Sequence, residues 1–384
     1  MNVALGHLCT FLNGGTPSKS VPRYFDGSIP WITGADIVGP TVESARSFIT
    51  EEAIKNSATN RVPAGTVLLV TRTSIGKVAM AGVPLCFSQD ITALMPDPQK
   101  LDAGYLVQFL RTKTPAFERL ARGATIKGIT REVIADIPVP LPILPEQRRI
   151  AEILDRAEAL RAKRRAALAQ IDTLTQSIFL RLFGDPTMNP QRWPMLPFGE
   201  VCESRLGKML DQKQQTGKHS RPYLRNANVQ WFHFDLTTIF EMDFDASARE
   251  EFRLKNGDLL ICEGGEPGRA AIWRGQVAEC YYQKALHRAR PNRTLANPEY
   301  LAWLLFFLSN MGGLGDHVTS ATIAHLTGER LKAMRIPLPP LPLQREFARM
   351  VAAVEKLKAA HRASLSEMDA LFGSLQHRAF RGEL

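Results

Sequence analysis

Two stretches of this chain are versions of one another. From Ile137 the sequence runs IPVPLPILPEQRRIAEILDRAEALRAKRRAALAQIDTL, and from Met334 it runs MRIPLPPLPLQREFARMVAAVEKLKAAHRASLSEMDAL. The likeness is not confined to these strips. AGTVLLVTRTSIGKVAM, from Ala64, aligns without a gap with NGDLLICEGGEPGRAAI, from Asn256, so that Gly65 matches Gly257 and Gly76 matches Gly268. Gln89 then matches Gln283, Tyr105 matches Tyr300, and GATIKGIT at Gly123 matches SATIAHLT at Ser320. Order kept over both halves means one structural unit written twice, with short insertions in loops.

Within each copy the first part mixes short β-type runs (GTVLLVT, GDLLICE) with turn clusters and one amphipathic helix, the pattern of an α+β domain. The prolines that follow hold φ near −65° and push the preceding residue out of the helical region, which predicts an extended strip. Pro145 and Pro342 then stand where a first helical turn can begin. Expected boundaries are residues 1–140 and 196–337 for the two globular domains and 141–183 and 338–384 for the helical regions. GDPTMNPQRWP, dense in Gly, Pro and Asn, predicts a linker over 184–195.

Both helical regions carry a 3-4 rhythm. In the first it predicts a seam through Ile150, Ile153, Leu160, Arg164, Ile171, Leu174 and Ile178. The second gives Phe347, Met350, Val354, Leu357, His361, Met368, Leu371 and Leu375. A repeat sustained in this way predicts a coiled coil, here an antiparallel pair relating the two copies by a pseudo-two-fold axis. An ordinary amphipathic helix packed on its own domain is the competing reading.

Lys+Arg number 48 against 38 Asp+Glu, a net +10, which favours a polyanionic partner, nucleic acid before an anionic membrane. The five cysteines show no CxxC spacing and read as reduced packed thiols; with no basic, apolar leader at MNVALGHLCTFLNGG, they predict a cytoplasmic protein. No metal-site spacing, phosphate loop, GxGxxG or amino-methyltransferase motif is present, so independent catalysis is not expected.

The order PLPILPEQRRI, coiled helix, FGDPTMNPQRWP, second variable domain and PLPPLPLQREF resembles the specificity subunit of type I restriction–modification enzymes, over essentially the whole chain. The resemblance implies two tandem target-recognition domains, each reading half of a split double-stranded DNA site. It also implies helical spacers that dock two methyltransferase subunits, with motor-nuclease subunits completing the complex and no membrane role. Specificity subunits are non-catalytic and hold no cofactor; S-adenosylmethionine, ATP and magnesium serve the partners, and adenine methylation and restriction follow from the assembly. Leu343 stands where the first copy has Glu146, so one docking surface differs. A module of another phage-defence system and a coiled-coil scaffold that binds no DNA are the alternatives.

Three clusters are candidates for DNA contact. In TRTSIGK and EGGEPGR, Arg72 can read guanine, Glu263 or Glu266 can accept from cytosine, and Lys77 and Arg269 can reach phosphate, with Thr73 and Ser74 alongside. A plain hairpin turn with solvated charges fits the same residues. Gln89 and Gln283 can pair with adenine, with Lys284 and Arg288 holding the backbone, or can close a strand. Lys127 marks the third cluster, where a structural turn competes. The divergent early segments add Lys19 and Arg23 in one domain and Lys208, Lys213, Arg225 and Asn226 in the other. Unlike domains predict an asymmetric bipartite target.

If Arg164 and His361 both sit in the helical seam, replacing both with leucine should raise stability in chemical denaturation. A clear drop would count against that placement.

Overall fold

In a computed structural model the chain is described over residues 2–121, 128–210, 215–315 and 325–384. It divides into two compact units, one of residues 1–166 with 363–384, the other of residues 167–362.

The first unit is organised by a five-stranded sheet: β1 (Cys9–Asn13), β2 (Thr41–Val42), β3 (Val67–Val70), β4 (Val78–Ala81) and β5 (Ile91–Pro96). The spatial order is β1-β5-β3-β4-β2, antiparallel except where β2 joins β4. The run VLLV is apolar at every position because both faces of β3 are covered. Val67 and Leu69 pack with helix α1 (Ala103–Thr112), through Tyr105, Leu106 and Phe109. Leu68 and Val70 pack on the other face, with Leu85 and Phe87. These last two belong to a second sheet in which Ile29–Ile32 runs parallel to Leu85–Phe87. The long helix α2 (Leu144–Phe183) leaves this unit after the proline strip.

The second unit repeats the plan. Strands β6 (Cys202–Leu206), β7 (Leu259–Cys262), β8 (Ala270–Ile272) and β9 (Leu286–Pro291) lie in the order β6-β9-β7-β8, all antiparallel. Leu259 and Ile261 face helix α3 (Pro298–Asn310), while Leu260 and Cys262 pack with Tyr282 and Trp273 on the far face. Ser220–Leu224 and Tyr281–Tyr282 form the matching parallel pair. The second long helix is α4 (Leu341–Ala379).

Each proline strip is a strand. Pro138–Pro140 pairs with Asn2–Ala4, and Arg335–Pro337 with Met195–Pro197. These are two-stranded ribbons, so a proline that donates nothing can face an unpaired edge. What anchors the strips to the domains is a pair of wholly buried glutamines. Gln147 Oε1 accepts from Asp102 N at 2.8 Å, and its Nε2 donates to Lys100 O at 2.9 Å and Pro142 O at 2.8 Å. Gln344 does the same with Asn297 N at 2.8 Å, Leu295 O at 3.1 Å and Pro339 O at 2.7 Å. Tyr105 and Tyr300 hydroxyls donate to Pro140 O and Pro337 O at 2.8 and 2.6 Å.

The long helices pair antiparallel within each unit. In the first, Ile150, Ala151 and Leu154 of α2 share a core with Phe372 and Ala379 of α4, and Arg161 bonds Asp369 at 2.6 Å. In the second, Phe179 and Phe183 both lie 5.4 Å, centroid to centroid, from Phe347, and Lys358 bonds Asp172 at 3.1 Å. The covered stripe is Ile150, Leu154, Arg161, Leu168, Ile171, Thr175 and Ile178 on α2, and Phe347, Val351, Val354, Lys358, His361, Leu365, Met368, Phe372 and Leu375 on α4. Arg164 is half-buried on the same side.

Six of the fifteen expected seam positions are thereby displaced by one residue. Leu160 and Leu371 are 56% and 59% exposed, and Leu174 and Leu357 are exposed as well. Ile153 and Met350 are half-buried beside the buried Leu154 and Val351. The reason is that Arg161 and Lys358 take the inward positions. Their methylene stems pack while their heads bond carboxylates, and the Arg161 guanidinium lies 4.3 Å from the Phe372 ring centroid.

Gln147→Ala and Gln344→Ala should each lower the unfolding free energy by about 3 kcal/mol, because buried backbone groups lose their partners. Urea denaturation of the purified chain checks this; a loss near zero would mean the groups find other partners.

Candidate nucleic-acid interface

The loop after the inner strand has the same backbone in both units. Thr71 N donates to Asp90 O at 2.8 Å and Glu263 N to Ala285 O at 3.0 Å. On the other side, Ile129 N donates to Thr71 O at 3.0 Å and Leu326 N to Glu263 O at 2.7 Å. Left-handed residues recur in register: Thr73 (φ 64°) with Gly265 (75°), and Gly76 (86°) with Gly268 (90°). Glycine suits that conformation and threonine does not, so the first loop holds a strained residue at its tip.

In the first unit this frame borders a polar cleft of about 570 Å³ lined by Asn13, Thr71, Arg72, Gln89, Thr92 and Gly128–Arg131. Arg72 and Gln89, far apart in sequence, meet here. Arg72 is bridged to Gly128 through the backbone, and the Thr16 hydroxyl hydrogen-bonds Gln89. Gly14 is required behind the cleft, since a Cβ there would fall 2.1 Å from Ser88 O. Thr73, Ser74 and Lys77 are exposed on the adjoining loop, with Lys77 Nζ reaching Gly34 O at 3.3 Å. Asn13, Thr92 and Arg131 were not singled out by sequence; Thr92 and Asn13 come together only through the register of β5 on β1.

The second unit furnishes the same frame differently. Glu263 stands where the first has Thr71, and His287 where it has Thr92. His287 is buried, its Nε2 donating to Leu326 O at 2.8 Å, and burial pushes its pKa down, which keeps the ring neutral. Gly264 bridges to His325 and Lys208 to Gln283. Asn226 Nδ2 donates to Gly264 O at 2.7 Å, tying the preceding segment onto the loop.

The family model for the type I restriction modification DNA specificity domain matches residues 1–170 and 190–367. The chain belongs to that family. The EcoR124I/EcoR124II specificity subunit of Escherichia coli is 34% identical over 163 residues, 41% of this chain and 40% of that protein. The MjaIX specificity subunit of Methanocaldococcus jannaschii is 23% identical over 368 residues, 88% of this chain and 82% of that one. Among solved structures, the S subunit from M. genitalium superposes with a TM-score of 0.59 at 15% identity, covering 99% of this chain and 96% of that chain. A chain of a type I R-M system gives 0.66 at 18% identity, covering 100% and 98%. Their likeness is one of fold.

The remaining predicted residues of this specificity chain divide by what holds them. Lys19 and Lys284 are exposed. Arg23 is exposed but bonds Glu52 at 2.9 Å. Lys208 Nζ donates to Asp243 O at 2.7 Å, and the Arg225 guanidinium lies 3.7 Å from the Phe240 centroid. Glu266 accepts from Trp231 Nε1 at 2.6 Å and from Arg269 at 3.0 Å, while Arg269 also reaches Asn226 O at 3.2 Å. Arg288 is a correction: it is 3% exposed, bonded to Glu203 at 2.5 Å and Glu251 O at 3.1 Å. It lies on β9 directly opposite Leu260, so alternation turns it inward, where it holds the domain together and cannot grip a phosphate. Lys127 and Lys213 lie outside the described residues.

All five cysteines are buried and free, and burial pushes the Cys9 and Cys202 thiols up to about 12, which leaves them protonated and unreactive. Among the described residues no group of His, Cys, Asp or Glu is placed to hold a metal ion, and no helix is long and apolar enough to cross a membrane.

Thr73→Gly should raise the unfolding free energy by up to about 1 kcal/mol, since relief of left-handed strain exceeds the entropy lost by glycine. Thermal denaturation measures it, and destabilisation would show that the threonine is unstrained.

Proposed function

We propose that this chain directs a type I restriction–modification complex to an asymmetric, two-part DNA site, each unit reading one half. The observation that carries the reading is the pair of loop frames with unlike side chains: Thr71 and Arg72 in one, Glu263 and His325 in the other. Identical frames suit the same duplex geometry, and different hydrogen-bonding groups select different bases. The net charge of +10 supplies the sequence-independent attraction to phosphate.

In this reading the two target-recognition domains are residues 1–140 and 196–337, and 184–195 is the linker. Helices of 40 and 39 residues, about 60 Å at ~1.5 Å per residue, act as the ruler between half-sites and as the dock for two methyltransferase subunits. The chain itself is non-catalytic and holds no cofactor. The methyltransferases use S-adenosylmethionine to modify adenine, and motor-nuclease subunits use ATP and magnesium to cut unmodified DNA. The complex acts in the cytoplasm.

Mapping methylated adenines in host DNA with and without this gene tests the reading; two unlike half-sites at a fixed gap are expected. A single uninterrupted motif or a perfect palindrome would sink it. Lys284→Ala in the assembled complex should weaken binding to all sequences alike and reduce the slope of log K against log salt by about one, as for one lost phosphate contact.

A further inference from the structure

The two loop frames share a backbone, yet the nitrogen-bearing side chain at each comes from the opposite partner of the same bridge. In the first unit Arg72 faces Gly128; in the second Gly264 faces His325. These are corresponding pairs, since the bonds Ile129 N to Thr71 O and Leu326 N to Glu263 O flank them identically. Directly opposed residues of an antiparallel pair put their side chains on the same face. At the first bridge there is room for one such chain: a Cβ on Gly128 would lie 3.2 Å from Arg72 Cγ and 3.3 Å from Thr71 O. Each pair thus combines one glycine with one long or cyclic nitrogen-bearing residue, in reversed order.

We propose that His325 is a specificity-determining residue, the second unit's replacement for Arg72, which discriminates one base pair of the half-site that unit reads. The inference rests on the DNA-reading function proposed above. The chemistry of the two readers differs in a useful way. A guanidinium is a fork of fixed donors that matches the O6 and N7 acceptors of guanine. An imidazole instead has two ring nitrogens, which as one donor and one acceptor address an edge that carries both. Glu263, in place of Thr71, puts a carboxylate that only accepts where the first unit has a hydroxyl that can also donate. Exchanging the bridge partner changes the reader while leaving the frame that carries it untouched.

The test uses the assembled complex with its methyltransferase partner, as wild type and with His325→Ala, His325→Gln or Arg72→Ala. Each is given a random DNA library and S-adenosylmethionine, and the methylated molecules are sequenced. His325→Ala should lower discrimination at one position of one half-site by about tenfold or more, leaving the other half-site as it was. Arg72→Ala should do the same in the opposite half-site. His325→Gln should move the preference at that same position toward adenine, and it decides the matter if the alanine variant does not assemble. Unchanged preference in a folded His325 variant, or an even fall in methylation over both half-sites, overturns the inference while the two-part reading stands. If the wild-type complex selects no two-part site, the proposed function fails first and this inference falls with it.

Discussion

A proline-rich strip presents carbonyl groups without the matching supply of N–H donors, and here that shortage is met by side chains. Gln147 and Gln344 each give both protons of a fully buried amide to carbonyls, one on the strip and one on the loop before α1 or α3. Each also accepts a backbone N–H from that loop. Tyr105 and Tyr300 serve the carbonyls earlier in the strips. Each helix therefore starts from a fixed point on its own domain, in a fixed direction. Were the amide removed, several buried polar groups would be orphaned together, and the strip would have little reason to hold its course.

Backbone frame and variable side chains are separated within each unit. The sheet order, the parallel pair behind it and the left-handed turns at residues 73/265 and 76/268 recur almost unaltered. The side chains on the loop do not recur: Thr71 and Arg72 stand opposite Glu263 and Gly264. Main-chain hydrogen bonds fix where the loop positions stand, whatever residue stands there, so side chains on the loop can diverge at little cost to the fold.

Much of this was legible because duplication gives each element a second witness. The matched strands, the glycines at turns with positive φ, the strips and the long helices all follow from aligned residue types whose backbone demands are local. The helical seam was only half legible. Ile153 and Leu154, or Leu160 and Arg161, fit a heptad equally well, and apolar content favours Leu160. The structure prefers Arg161 because its stem, an aromatic face and a carboxylate on the opposing helix act together, and only the fold reveals that combination. Arg288 failed for a related reason: its partner Glu203 is 85 positions away in sequence. Arg72 and Gln89 were found by residue type, but their meeting in one cleft with Asn13 and Thr92 depends on strand register. The glutamine anchors stood in plain view inside PEQRR and PLQRE, with no local signal that an amide there would be buried.

The interrupted first unit has a consequence for how the chain is made. Residues 167–362 form one uninterrupted piece, whereas the unit holding the N-terminus also contains 363–384, including Phe372, Ala379 and Phe380 packed against its own helices. On the ribosome, where segments emerge in order, the unit translated first lacks Phe372 and Ala379 from its core until residues 363–384 are free. The second domain has every piece it needs earlier. Birth order and maturation order are reversed, and a nascent chain stalled before residues 363–384 emerge would carry a complete second unit and an unsealed first one.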